Sequence, residues 1–174
     1  MTEKIIIAGS GGQGIMLLGK VLATAAMKEN KFVTWLPAYG AEVRGGTANC
    51  MVIISDSEIG SPYISKADTL LALNEPSLEK FIGRLKSGGS LLINSSLAKG
   101  FSDKKFKIWQ YPFTDIAIKI GNIKTANMVA LGCLINAKKP VKIESVKGAF
   151  LDFAPNKPEL VEINEKALLE GAKL

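Results

Sequence analysis

The strongest constraint in this sequence is a short apolar run that breaks into glycine and then resumes with a different period. Lys4 to Gly9 reads Lys-Ile-Ile-Ile-Ala-Gly. The run is continuous rather than alternating, which is the pattern of a strand buried on both faces of a parallel sheet. Gly9-Ser10-Gly11-Gly12-Gln13-Gly14 follows directly. Beyond it Ile15, Leu18, Leu22 and Ala25 recur at helical spacing, which predicts a helix over residues 14–29. Phe32 to Leu36 predicts a second strand, stopped by Pro37, and completes a βαβ unit. Strand, glycine turn, helix and strand in that order place the chain in the α/β class.

Further strands are predicted at Thr47–Ser55, Thr69–Leu73, Ser90–Ile93 and Lys107–Tyr111. Pro76 suits the first turn of a helix reaching Leu85, because its missing N–H has no partner there anyway. Helices are also predicted over 114–120, 125–136, 143–152 and 158–171, with Gly171 as a C-cap. Residues 94–108 read as a mobile loop. No repeat or linker divides the 174 residues, so a single domain spanning 1–174 is expected. A chain of this size buries roughly 70% of its unfolded surface and needs no disulfide or metal to hold it. The expected architecture is a Rossmann-like, mostly parallel sheet flanked by helices, with a helical C-terminal region.

Composition removes several kinds of chemistry. There is no histidine, and so neither the commonest general base nor the commonest zinc ligand. Cys50 and Cys133 are too far apart for zinc or iron–sulfur spacing and read as small buried apolar residues. The net charge of +6 favours an anionic ligand or acidic partner. Among the basic residues only Arg44 and Arg84 are arginine. Base reading and bidentate phosphate recognition favour arginine, so nucleic acid is not expected. Every apolar stretch falls short of the ~20 residues that span a bilayer. The first residues lack the basic leader and apolar core of a signal peptide. No membrane partner and a cytoplasmic location are expected.

Two segments can carry a ligand. In the glycine turn, Gly9, Gly11, Gly12 and Gly14 let the backbone approach closely, and free N–H groups at the helix start face an anion. Gln13 places a polar side chain where it can hydrogen-bond that ligand. A tight turn that binds nothing has the same sequence. The dinucleotide form of the motif needs an acid ~20 residues on, at the end of the second strand. Here that strand ends Trp35-Leu36-Pro37, and Glu29 sits at the helix end instead, which disfavours NAD. The second segment is Tyr39-Gly40-Ala41-Glu42-Val43-Arg44-Gly45-Gly46. Glu42 and Arg44 point the same way in an extended chain. They can pair with each other or read an anion, or the segment is an ordinary polar loop.

Taken together, the Gly9–Gly14 turn and the Pro37–Gly46 segment leading into a strand resemble the gamma subunit of the 2-oxoacid:ferredoxin oxidoreductases. Ser55-Asp56, Ala67-Asp68 and Asn127–Gly132 fit the same pattern in the same order. The resemblance covers nearly the whole chain, and its most specific part is Tyr39–Gly46. The closing Pro158–Asn164 is more similar to 2-oxoglutarate members than to pyruvate members. The resemblance implies an enzyme that oxidatively decarboxylates a 2-oxoacid to an acyl-CoA and reduces ferredoxin. It implies thiamine diphosphate, magnesium and [4Fe–4S] clusters on alpha and beta partner subunits, with delta a further candidate partner. For this chain it implies no catalytic and no metal-binding residue. It implies a share of the coenzyme A site at Gly9, Gly11, Gly12, Gln13, Gly14, Tyr39, Glu42, Arg44, Gly45 and Gly46. Two alternatives remain at this point. One is a stand-alone nucleotide-binding oxidoreductase with a degenerate Rossmann turn; the other is a non-enzymatic ligand-binding module.

Overall fold

The computed structural model describes residues 1–38 and 46–174. The described strands are β1 (Thr2–Ser10), β2 (Phe32–Ala38), β3 (Thr47–Ser55), β4 (Ala67–Ala72), β5 (Leu85–Asn94) and β6 (Lys107–Tyr111). The helices are α1 (Ile15–Lys28), α2 (Glu75–Phe81), α3 (Phe113–Ile120), α4 (Ala126–Lys138), α5 (Ile143–Phe153) and α6 (Pro158–Gly171). One sheet runs in the order β2-β3-β1-β4-β5-β6. β1, β4, β5 and β6 pair parallel, while β3 is antiparallel to both β1 and β2. β3 is therefore the one reversed strand of the described sheet, and the mostly parallel expectation holds.

Two local readings change. β1, α1 and β2 do form a same-direction crossover, but β3 is inserted between the two strands. β3 is apolar enough to be buried from Asn49 to Ser55, so the interior is the place for it, and β2 is left at the edge. That position also explains why Pro37 does not stop β2. The strand continues to Ala38, with Pro37 opposite Cys50, because an edge strand can turn its missing N–H outward.

The period of two sorts each strand between two cores. Ile5 and Ile7 face a large cluster built from α1, α3, α4, α5 and α6. Ile6 and Ala8 face a smaller one built from α2 and the segments around Ile64 and Phe101. β1 is apolar throughout because both of its faces are covered. Burial also surrounds α4, whose side chains are buried continuously from Asn127 to Ile135.

Gly171 is not the C-cap. It is the last residue of α6 and Ala172 takes the cap position. A Cβ on Gly171 would run into the Val129 carbonyl oxygen, and one on Gly132 would run into that of Leu168. The two glycines let α4 and α6 cross with their backbones in contact. Nor is the segment after β5 loose. The Gln110 side chain accepts from Phe101 N at 2.8 Å and donates to Phe101 O at 2.6 Å, and Phe101 and Phe106 pack on the smaller core.

Cys50 and Cys133 are both buried in the large core. Burial pushes each thiol up to about 12. The native state thus keeps them protonated where the unfolded chain would ionise them. Their contribution to stability is complete below about pH 9 and is lost as pH rises toward about 12. A disulfide-exchange reagent at pH 8 is expected to label neither thiol in the native protein and both after denaturation. Rapid native labelling would contradict this burial.

Candidate functional site

The glycines of the Gly9–Gly14 turn serve different needs. Gly12 and Gly14 have φ of +93° and +72°, a region that side chains with a Cβ rarely adopt. Gly9 is required by contact, since a Cβ there would lie 2.6 Å from Gln13 Oε1 and 2.7 Å from Ile15 Cδ1. Gly11 is exposed, and nothing lies within 4 Å of a Cβ placed on it.

Gln13, which the sequence offers as a hydrogen-bonding partner for a ligand, also braces the turn with its amide. Oε1 accepts from Ser10 N at 2.6 Å, and Nε2 donates to Leu73 O at 3.3 Å. Asn74 completes the brace. Its Nδ2 donates to Ser10 Oγ at 2.5 Å, while its Oδ1 caps α2 by accepting from Ser77 N at 3.0 Å. The turn after β1 and the turn after β4 are thereby locked together. Asn74 was legible as a helix cap, since it precedes Glu75-Pro76. Its second bond was not, because it spans 64 positions.

These two turns flank the point where the connections diverge. α1 packs into the larger core and α2 into the smaller, on the opposite face. A crevice opens at such a switch point, beyond the carboxyl ends of the strands. A recess of about 250 Å³ occupies it. Gly12 and Gln13 form one wall, Leu73, Asn94 and Thr114 another, and Leu97, Ile123, Lys124 and Ala126 the rest. Among the described residues, Lys124 is the one charged residue in this lining.

Two helices begin at the recess. α1 starts from Gly14 without a side-chain cap, whereas α4 is entered through a 3-10 turn at Ile123–Thr125, with Ala126 N donating to Ile123 O and Met128 N donating to Asn127 Oδ1 at 2.9 Å. Asn127 Nδ2 donates to Gly14 O at 3.3 Å and joins the two starts. The first-turn N–H groups of α1 have no partner within their own helix, and such a helix end favours an anion by about 0.3–1 kcal/mol when exposed. With Lys124 beside them and no described carboxylate in the lining, the recess favours negative charge.

The second candidate segment meets the first at one described point. Gly11 N donates to Gly46 O at 3.4 Å. Tyr39, Glu42, Arg44 and Gly45 lie outside the described residues. The sequence reading missed Asn74, Asn94, Thr114 and Lys124, and it noted Asn127 only within a longer match. Each is brought to the site by tertiary contact. Glu29 lies at the far end of α1 and accepts from Lys142 N at 2.5 Å, so it holds α5 and no ribose.

A larger depression of about 530 Å³ lies at that far end, near Lys31, Lys139 and Lys142. It is remote from the strand carboxyl ends and the glycine turn. No helix among the described residues is long and apolar enough to cross a membrane.

Comparison with known proteins adds the family context. Residues 4–174 match the family described as pyruvate ferredoxin/flavodoxin oxidoreductase. The ketoisovalerate oxidoreductase subunit VorA of Methanothermobacter thermautotrophicus is 37% identical over 171 residues, covering 98% of this chain and 36% of that protein. This chain thus spans about a third of that relative's length. The crystal structure of the keto/oxoacid ferredoxin oxidoreductase gamma subunit from Geobacter sulfurreducens superposes with a TM-score of 0.85 at 32% identity, covering 98% of this chain and 96% of that one. A 2-oxoglutarate:ferredoxin oxidoreductase from Magnetococcus marinus, solved with 2-oxoglutarate, coenzyme A and succinyl-CoA bound, shares the fold with a TM-score of 0.91 at 23% identity. It covers 99% of this chain, which spans 30% of that one.

Proposed function

The chain belongs to the pyruvate ferredoxin/flavodoxin oxidoreductase family, and on that premise we propose that it is the gamma subunit of a 2-oxoacid:ferredoxin oxidoreductase and forms part of its coenzyme A site. The observation that carries the coenzyme A assignment is the recess where the glycine turn, the uncapped start of α1 and Lys124 converge. The backbone at Gly12 and Gly14 lets a pyrophosphate approach, the first turn of α1 offers N–H donors, and Lys124 supplies a full positive charge. Gln13 and Asn74 hold this geometry from behind. Tyr39, Glu42, Arg44, Gly45 and Gly46 are assigned a share of the same site on the family resemblance, and Gly46 is tied to Gly11 by a backbone hydrogen bond.

The described residues of this chain present no donor set for the remaining cofactors. Cys50 and Cys133 sit on different elements, buried and protonated. No group of three or more His, Cys, Asp or Glu among the described residues is placed to hold a metal. On the family resemblance, thiamine diphosphate, magnesium and the [4Fe–4S] clusters are assigned to partner subunits, with alpha, beta and a candidate delta as those partners, and electrons leave the complex on ferredoxin. The chain's own work is binding and orienting the acyl acceptor. For the substrate we favour 2-oxoglutarate, from the Pro158–Asn164 resemblance and the Magnetococcus marinus enzyme.

Affinity purification of the tagged chain from its host is the direct test. It is expected to retain subunits carrying thiamine and iron–sulfur clusters, with coenzyme A-dependent oxidation of 2-oxoglutarate faster than of pyruvate or ketoisovalerate. The pure chain, supplied with the same cofactors, is expected to be inactive. Oxidation of a 2-oxoacid by the pure chain would favour a stand-alone enzyme, and a purification without partner subunits would favour a ligand-binding module.

A further inference from the structure

The two edges of the sheet are guarded differently. β6 is five residues long, begins at Lys107 and runs into Pro112. β2 is seven residues long and carries no charged residue from Phe32 to Ala38. The hydrogen bonds fix which of its backbone groups face outward. Asp56 N donates to Met1 O at 3.0 Å, which turns the even-numbered residues of β3 toward β1 and the odd-numbered ones toward β2. Those odd-numbered residues stand opposite Phe32, Thr34, Leu36 and Ala38. The N–H and C=O groups of Val33 and Trp35, and the C=O of Pro37, therefore point away from β3. No described residue pairs with them. A long uncharged edge of this kind is a template for another strand.

We propose that the strand it receives is β2 of a second copy of this chain, antiparallel, about a two-fold axis at Thr34. The occupant is argued from the strand itself. Phe32-Val33-Thr34-Trp35-Leu36 sets an aromatic residue against an aliphatic one at each position about Thr34, and a two-fold contact needs such a self-complementary surface. Val33 then faces Trp35 of the second copy, and the pair exchanges both backbone hydrogen bonds, twice over. These side chains lie on the face of the larger core. On the other face Phe32, which is 47% exposed, is covered by Leu36 of the second copy. Thr34 faces Thr34 of the second copy. Its Oγ1 is buried with no hydrogen-bond partner among the described residues, and opposed threonines hydrogen-bond across strands. No like charges meet, because the strand holds none, and Lys31 before it is paired with Asp56 at 3.3 Å. Pro37 fixes the register. Moving the axis to Trp35 would set Val33 O against the proline nitrogen, which has no hydrogen to donate. This pairing does not depend on the coenzyme A reading.

The test uses the full chain, both free and in the purified complex. Light scattering of the free chain at micromolar concentration is expected to give twice the mass of one chain. Thr34→Cys is expected to cross-link most chains under mild oxidation, because directly opposed residues bring their Cβ atoms within disulfide reach. Phe32→Cys faces Leu36 and is expected to stay reduced, while a mixture of Phe32→Cys and Leu36→Cys chains should cross-link. The mixture keeps the register testable should Thr34→Cys disturb the smaller core. Cys50 and Cys133 are buried and take no part. Phe32→Lys puts a charge on the edge and is expected to raise the dimer dissociation constant about tenfold or more. A monomer at every concentration overturns the proposal. A dimer in which neither Thr34→Cys nor the mixture cross-links lies on another face and overturns it too, as does equal cross-linking by Thr34→Cys and by Phe32→Cys alone. A cross-link that forms in the free chain but not in the complex gives the edge to a partner subunit's strand, and the assignment to a second copy fails.

Discussion

Gly132→Val is expected to destabilise the domain by about 3 kcal/mol or more, through backbone overlap that no rotamer relieves. A Cβ at this position would meet the Leu168 carbonyl oxygen, with Ala172 N at 2.8 Å. Both are backbone atoms of α6 and its cap, so the whole helix has to move for the side chain to fit. Gly171 makes the reciprocal demand against Val129. Moving α6 would open the large core at Ala167 and Leu168, which are exposed by 0% and 2%. At roughly 2–4 °C per kcal/mol for a domain of this size, the melting temperature should fall by about 10 °C. A melting temperature within a few degrees of wild type would show that α4 and α6 are not in backbone contact here.

Gly14→Ala is expected to damage the site more than the fold. With φ at +72°, an alanine incurs about 1–2 kcal/mol of left-handed strain. Its Cβ would also overlap the Asn127 side-chain amide, whose bond to Gly14 O joins the starts of α1 and α4. Relief requires the two helix starts to separate, which displaces the start of α1 on which anion binding depends. A fall of about 5 °C in melting temperature is expected, with kcat/KM for coenzyme A in the complex reduced about tenfold or more. Gly11→Ala is the comparison for stability. That residue is exposed and clear of neighbours, so its melting temperature should stay within about 1 °C of wild type. Equal melting and kinetics for the two variants would remove the structural argument for Gly14.

The difference between these two glycines was invisible in the sequence. Gly9, Gly11, Gly12 and Gly14 read there as one motif with one purpose. The folded chain separates them into a contact requirement at Gly9, left-handed turns at Gly12 and Gly14, and an open position at Gly11. Gln13 shows the same limit. Its polarity was legible, but its bracing of the turn was not, because Leu73 and Asn74, which its amide contacts, are 60 and 61 positions away. Gly171 read as a cap because α6 ends there, while the need for glycine comes from Val129 on α4.

What the sequence determined by itself was local. Apolar runs, helical spacing and the glycine turn gave the order of strands and helices, the α/β class and the place where an anion can sit, because each depends on residues a few positions apart. The insertion of β3 between β1 and β2 was decided by tertiary structure, and so was the assembly of the recess from Asn94, Thr114, Lys124 and Ala126 around that turn. Strand order and pocket walls follow from which buried faces cover one another. That is a competition among segments far apart in the chain, and no local pattern records its outcome.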